Sequence, residues 1–102
     1  MPRKEGLLRP VHPGEILMQD LMKPLGISIN RLGRDLRVPV TRVSEIVNGR
    51  RAITADTALR LARYFGTTPQ FWMNLQAGYD LEITIRAAGG QIKRGIHPRR
   101  AA

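Results

Sequence analysis

Apolar residues recur every three or four positions in five stretches of the chain, and this spacing predicts five helices. The first should begin at Pro13, because proline suits the first helical position, and should end near Pro24 and Gly26. The second should open at Ser28, a good N-cap residue, and continue to Leu36. The amino-terminal half is therefore expected to form short helices joined by tight turns.

Three further helices are predicted in the rest of the chain. The third covers about residues 40–47 and stops at Gly49, which suits the left-handed conformation that ends many helices. The fourth follows the N-cap Thr54 and ends at Gly66. The fifth opens at Pro69, directly after a threonine N-cap, so the pattern as a whole indicates an all-α fold.

The segment 81–86 allows two interpretations. It alternates apolar and polar residues as a strand does, and it can equally prolong the fifth helix. A lone strand would need a partner chain to pair with, so we favour helix. From Gly89 onward, glycines and basic residues occur without a single acid, which predicts a mobile basic tail.

The chain carries a strong positive charge. Seventeen Lys and Arg residues oppose eight Asp and Glu residues among 102, a formal net charge of +9. So high a charge on so small a domain causes self-repulsion, which favours a nucleic-acid partner over a merely soluble basic surface. Most of the bases are arginines, whose planar donors suit phosphate oxygens and guanine edges.

Several classes of protein are disfavoured by what the sequence lacks. It has no cysteine for disulfides, zinc ribbons or thiol catalysis, and no apolar run long enough for a membrane helix or signal peptide. His12 and His97 lie at opposite ends, and no metalloprotease, phosphate-loop or Ser-His-Asp pattern occurs. We therefore expect a cytoplasmic protein, nucleoid-associated when bound to DNA. We expect no catalytic residue, metal, cofactor, small-molecule ligand or membrane contact.

The second and third predicted helices are separated by only three residues, 37–39. That spacing is typical of a helix-turn-helix, in which the second helix of the pair enters the major groove of DNA. The angle between the two helices requires an apolar seam. The residues placed to form it are Leu32, Leu36, Val38, Val43 and Ile46.

The opposite face of the third helix would contact base edges. Arg42 can bind guanine with two hydrogen bonds or pair with a phosphate, and Thr41 can contact a base or cap the first turn. Val40 can pack on a thymine methyl or inside the domain. Glu45 can accept a hydrogen bond from cytosine or orient Arg42 three residues earlier. Ser44 is small enough to allow close approach.

Phosphate contacts are predicted beside this helix. Exposed backbone amides and two arginines in the turn that follows it would form a phosphate clamp, although an ordinary solvated turn is the alternative. Arginines on the preceding helix can reach the same strand. The candidates are Arg31, Arg34, Asn48, Gly49, Arg50 and Arg51.

Four segments in this order resemble the HigA antitoxin family, also known as VapI-type proteins, within the Xre and phage-repressor class of helix-turn-helix domains. They are "HPGEIL" at 12–17, "LGIS" at 25–28, "RVSEIVNGRRAIT" at 42–54 and "TALRLARYFGTTPQFWMNLQAGYDL" at 57–81. Each is weak alone, but their combined order is specific and covers about two-thirds of the chain. The resemblance implies an all-α, five-helix, lambda-repressor-like fold.

The resemblance also implies a function. Such proteins neutralise a small basic RelE- or HigB-like toxin that cleaves mRNA, and as homodimers they bind operator DNA to repress their own operon. The family dimerises after the helix-turn-helix, which points to Trp72, Leu75 and Tyr79. Trp72 can instead pack on Phe65 in the core. The expected organisation is a basic arm at 1–11, a helix-turn-helix domain with a dimerisation helix at 12–88, and a disordered basic tail at 89–102.

A basic toxin requires an acidic surface, and this chain has few acids. Glu15 and Asp20 lie on the first predicted helix, away from the expected DNA face, so that helix is the expected toxin-facing surface. The alternative is a stand-alone phage-type transcriptional repressor without a toxin, which the DNA-reading residues cannot distinguish. An RNA-binding module is disfavoured because no sheet carries aromatic residues for base stacking.

Overall fold

The computed structural model describes residues 9–100, and every regular element in that range is a helix. α1 spans residues 13–25 and consists of α-helical Pro13–Ile16, π-helical Leu17–Met22 and α-helical Lys23–Leu25. The other helices are α2 (Ile29–Leu36), α3 (Val40–Val47), α4 (Ala55–Phe65) and α5 (Pro69–Gly95). The predicted all-α, five-helix architecture is confirmed.

Local chemistry sets most of the helix boundaries. The Ser28 hydroxyl accepts a hydrogen bond from the Arg31 amide at 3.1 Å, which caps α2. Gly26 and Gly66 end α1 and α4 with φ angles of 67° and 75°. α1 ends at Leu25, between Pro24 and Gly26 as predicted, and Pro24 lies within its last turn. The π-helical turn before it, in which the Lys23 amide donates to the Met18 carbonyl, widens the helix where a proline ring would meet the preceding turn.

A single apolar core lies between the helices. Its buried members are Leu17, Met22, Leu32, Leu36, Val43, Ile46, Ile53, Ala58, Leu61, Ala62 and Trp72. The four helical residues of the predicted seam are among them, and Val38 packs against the cluster, so the seam is confirmed. The buried Gln76 accepts a hydrogen bond from the Ile53 amide at 2.8 Å and thereby ties the segment before α4 to α5.

Two glycines allow close approach of the helices. Gly14 is buried where α1 lies against α3, and a Cβ atom there would overlap the backbone carbonyl of Ile46. A Cβ on Gly33 would lie 3.1 Å from the Cα of Val40. Interiors packed this densely cannot yield to a backbone contact, so the position of α3 depends on both glycines.

α5 extends beyond residue 88, the predicted end of the helix-turn-helix domain. Residues 81–86 are helical, which confirms the favoured interpretation. The helix continues to Gly95, so the prediction of a disordered tail is wrong for residues 89–95. Two adjacent glycines each cost about 1 kcal/mol against alanine, which is too little to end a helix supported by the Arg86–Glu82 pair and by basic residues in its last turn.

The ends of the chain give less information. Residues 96–100 have no regular secondary structure. Most of the predicted basic arm, residues 1–8, and the last two tail residues, 101–102, lie outside the described residues. Arg9 pairs with Glu15 on α1, with 2.9 Å between Nη2 and Oε1. Within residues 9–100, no helix is both long and apolar enough to cross a membrane.

Candidate nucleic-acid interface

α3 presents a polar strip to solvent. Val43 and Ile46 are buried on its inner face, while Thr41 and Glu45 are exposed on the other side and Ser44 is half-buried. Because successive residues turn by about 100°, positions 41, 44, 45 and 48 fall on one side of the helix. The structure thus brings together three of the predicted base-contacting residues. Val40, at the start of the helix, is 40% exposed beside them.

Arg42 stands apart from this strip. Its Nη1 donates a hydrogen bond to Oδ2 of Asp56 at 2.9 Å, and only 28% of its side chain is exposed. The same carboxylate oxygen accepts from Arg60 Nε at 3.0 Å. The expected base contact of Arg42 stays a prediction, and it requires the pair with Asp56 to open.

The prediction that Glu45 orients Arg42 is wrong. The carboxylate of Glu45 faces Arg51 instead, with 3.4 Å between Oε1 and Nε. Arg42 lies on the side of α3 that faces α4, and there Asp56 in the first turn of α4 supplies a carboxylate. Asp56 is not among the residues singled out from the sequence, because it meets Arg42 only in the fold, 14 positions along the chain.

Two carboxylates at this interface have lowered pKa values. The hydrogen bond from Arg60 holds the pKa of Asp56 below 3.8, and the Arg42 guanidinium adds to the effect. On α2, the hydrogen bond from the Tyr64 hydroxyl, at 2.7 Å, lowers the pKa of Asp35. Both acids therefore stay ionised and remain partners for arginine.

The turn after α3 differs from the predicted clamp. The amides of Asn48, Gly49 and Arg50 donate to the carbonyls of Ser44, Ile46 and Glu45, at 3.1, 3.0 and 2.8 Å. These amides close the end of α3, and so the expected amide contacts to phosphate are not available in this conformation. The Asn48 side-chain amide also binds the Ser44 carbonyl, at 2.8 Å.

The arginine side chains of the predicted clamp remain at the surface. Arg50 and Arg34 are exposed, and no ion pair of either is found within residues 9–100. Arg51 pairs with Glu45, and Arg31 lies 3.5 Å from Asp35 between Nε and Oδ2. Arg50 and Arg51 thus follow α3 directly and Arg31 and Arg34 lie on α2, with Arg31 and Arg51 each beside a carboxylate.

The three predicted dimer residues occupy different environments. Trp72 is fully buried, and its Nε1 donates to the Thr67 hydroxyl at 2.8 Å. Its ring is not available to a second chain, so Trp72 as an interface residue is wrong and the core alternative holds. Leu75 packs against the core, and Tyr79 is half-buried beside His12.

His12 lies at the start of α1 and also contacts α5. Its Nδ1 accepts a hydrogen bond from the Gly14 amide at 2.9 Å, which caps α1. The ring also meets the Tyr79 ring edge-on, with 4.8 Å between centroids. The only sequence signal was the proline that follows His12, which marks a helix start and says nothing about α5.

The helix-turn-helix family HTH_3 matches residues 18–72, which contain α2, α3 and α4. The chain belongs to this family. It is 47% identical over 83 residues to virulence-associated protein I of Dichelobacter nodosus, a match that covers 81% of this chain and 77% of that protein. It is 40% identical over 73 residues to antitoxin HigA-1 of Vibrio cholerae, covering 72% and 68%.

A solved structure extends the comparison to nearly the whole fold. The antitoxin HigA of Pseudomonas aeruginosa, solved with the higBA promoter, superimposes with a TM-score of 0.88 at 47% identity. The match covers 90% of this chain and all of that one. The resemblance to HigA and VapI-type proteins of the Xre class is confirmed, and this helix-turn-helix protein is HigA-type.

Proposed function

We propose that this protein is an antitoxin that binds operator DNA as a homodimer, represses its own operon and neutralises a RelE- or HigB-like mRNA-cleaving toxin. The observation that carries the DNA-binding part is the exposed polar strip of α3 opposite a buried apolar seam. The HigA relatives named antitoxin, one of them solved with a promoter, support the same function.

Recognition of bases would use the strip. A helix fits the major groove, and the hydroxyl groups of Thr41 and Ser44 can bond to base edges at close range. The Glu45 carboxylate can accept a hydrogen bond from a cytosine amino group once Arg51 turns to a phosphate. Val40 can place its methyl groups on a thymine. These four side chains lie next to one another, which is what direct readout requires.

Affinity would come mainly from arginine. Arg50 and Arg51 follow α3, Arg31 and Arg34 are exposed on α2, and the chain as a whole has a formal charge of +9. Contacts from such side chains to phosphates release counterions, so binding should weaken steeply as salt is added. Asn48 and Gly49 contribute the shape of the turn, because their amides are already used within the protein.

The homodimer would form along the carboxyl-terminal half of α5. Leu81, Ile85 and Ile92 are 64%, 59% and 47% exposed, and with Ala88 they are spaced by four, three and four residues. That spacing makes one apolar stripe, a pattern that helices bury against each other. A two-fold interface would bring the same stripe from both chains together. Tyr79 and Leu75 precede this stripe in the sequence and lie on the side of α5 that faces the rest of the domain.

The toxin would bind the face of α1. Asp20 is exposed on the π-helical part of α1, and Glu15, which pairs with Arg9, lies in the first turn of the same helix. Charge complementarity favours contact between a basic toxin and acids of this chain. Glu15 and Asp20 are therefore the acids that we assign to this surface.

A growth assay tests the antitoxin function. The small open reading frame next to this gene is expressed in a host cell with and without this protein. We expect growth arrest by the neighbour alone and recovery when both are made. A harmless neighbour, or toxicity that persists despite good expression of this protein, would favour a stand-alone repressor.

A binding assay tests the operator function separately. Fluorescence anisotropy compares a labelled fragment of the protein's own promoter with a scrambled duplex of equal length. We expect preference for the promoter fragment and an inverted repeat with half-sites about one helical turn, or a multiple, apart. Equal binding to both duplexes would contradict the repressor function and leave the growth assay to decide on the toxin.

A further inference from the structure

His12 lies where three parts of the protein meet. It caps α1 through Nδ1, it meets α5 through the Tyr79 ring, and it lies against the turn formed by residues 48–51. A Cβ atom on Gly49 would lie 3.8 Å from the His12 Cγ, so the backbone of the turn runs directly beside the imidazole. Capping of α1 requires neither the contact with Tyr79 nor the contact with the turn.

The hydrogen bonds fix the protonation of the ring. Because Nδ1 accepts from the Gly14 amide, the neutral ring carries its proton on Nε2. The backbone of Arg51 acts to raise the pKa of His12. Nδ1 is therefore used toward α1, while the Cγ–Cδ2 side of the ring lies beside Gly49 of the turn.

The same turn carries two of the arginines that we propose to contact phosphate. Arg50 and Arg51 follow Gly49 directly, and the positions of their side chains depend on how the backbone of the turn is held. The amides of Gly49 and Arg50 tie the turn to α3 from one side. His12 holds it from the other side, and Tyr79 closes the far edge of the imidazole.

We propose that His12 is a positioning residue for DNA binding, which fixes the turn at 48–51 so that Arg50 and Arg51 meet the phosphate backbone. The proposal rests on the proposed operator-binding function and adds a residue that does not itself touch DNA. It also makes α5 part of the support of the DNA-contacting turn, since Tyr79 belongs to α5.

The substitution His12→Asn separates the turn contact from the cap. Asparagine is a favoured N-cap residue and can accept from the Gly14 amide, but it is too short to reach both the turn and Tyr79. Thr68→Ala is the matched control. It removes the hydrogen bond that caps α5, at 3.1 Å from Thr68 Oγ1 to the Phe71 amide, and leaves the turn intact.

Operator affinity is measured at several salt concentrations with the full chain. We expect His12→Asn to weaken binding about five- to tenfold, as for one lost hydrogen-bonded contact, and to reduce the salt slope by about one. Its melting temperature should stay close to that of the parent. Thr68→Ala should lower the melting temperature and leave the salt slope unchanged.

A double-substitution cycle with Arg50→Ala tests whether His12 acts through the turn. We expect the two losses of affinity to be less than additive, because each removes the same phosphate contact. In the free protein, the Arg50 amide should also exchange with deuterium faster in His12→Asn, since its bond to the Glu45 carbonyl is less well supported.

Two results would overturn the positioning role while leaving the proposed function intact. One is parental affinity and salt slope in His12→Asn; the other is strict additivity with Arg50→Ala. If the parent protein itself shows no preference for its promoter fragment, both the positioning role and the operator function are overturned together.

Discussion

The carboxylate of Asp56 at the start of α4 binds the guanidinium of Arg42 on α3, with 2.9 Å between Oδ2 and Nη1. The two residues are 14 positions apart in the sequence. Arg60 shares the same oxygen and also donates to the carbonyl of Leu36 at 2.9 Å, so the pair is anchored to the end of α2. This cluster decides whether Arg42 can reach DNA.

Replacing Asp56 with asparagine should release Arg42. We expect tighter operator binding, by a few fold, and a steeper salt dependence, because one more cation becomes available to phosphate or guanine. Anisotropy titrations at several salt concentrations measure both quantities. Adding Arg42→Ala should abolish the gain, and an unchanged salt slope in Asp56→Asn alone would show that Arg42 takes no part in binding.

Arg42→Ala by itself tests base recognition. If Arg42 leaves Asp56 and binds a guanine, its loss should cost roughly 1–3 kcal/mol at one base pair and relax the sequence preference there. Binding to a set of operators with single base changes measures this. A preference profile identical to that of the parent would remove Arg42 from the base-contacting residues.

Arg50→Ala should weaken binding to all sequences equally. Arg50 is exposed, and if it contacts phosphate as proposed, its loss should flatten the salt slope by about one and leave the sequence preference unchanged. Arg63→Ala is the control, since Arg63 is an exposed arginine in the last turn of α4. A similar loss in both variants would indicate a general effect of charge.

Ile85→Glu should separate the proposed homodimer into monomers. The substitution places a charge in the middle of the exposed apolar stripe of α5, where a partner chain would have to bury it. Light scattering after size exclusion measures the mass, and circular dichroism checks that the helix remains. Ala87→Glu adds the same charge about 160° around the helix from Ile85, away from the stripe, and should stay dimeric.

Acid should destabilise the fold through His12. Burial, the largest influence, lowers the pKa of His12 below 6.5, while the charges of Asp80 and Glu15 and the hydrogen bond to Arg51 oppose it. The folded state therefore favours neutral histidine, and as pH falls the unfolded chain takes up the proton first. Stability is retained above about pH 6.5 and is lost between that pH and the lower pKa of the folded state.

Urea unfolding at pH 7.5 and pH 5.5 measures this effect. The free energy of unfolding should fall more in the parent protein than in His12→Asn, which has no imidazole at this position. Equal losses in the two proteins would assign the acid sensitivity to other groups.

Much of the fold could be predicted because its signals are local. Ser28 and Thr68 cap helices within three residues of themselves, and the seam follows from the spacing of apolar residues on two neighbouring helices. The length of α5 was harder to predict. Glycines 89 and 90 weaken a helix without ending it, and the supporting pair of Arg86 and Glu82 lies earlier in the chain.

The candidate site was harder to predict because its contacts are not local. Arg42 has two carboxylates within possible reach, Glu45 nearby on the same helix and Asp56 on another, and only the place of Asp56 in the folded chain decides between them. The backbone amides that were expected to be exposed after α3 instead donate hydrogen bonds to carbonyls at the end of that helix. Trp72 follows a helical spacing that fits a core residue and an interface residue equally well.

The absence of a side chain at Gly14 has a consequence for how this protein can diversify. α1 packs on the backbone of α3 at Ile46. The position of α3 is therefore set by a main-chain contact on its inner side and not by the identity of its exposed residues. Thr41, Ser44 and Glu45 can therefore change without altering the angle at which α3 is presented. Under the proposed function, substitution of a few exposed residues on α3 would give such a domain a new operator preference while its fold stays the same.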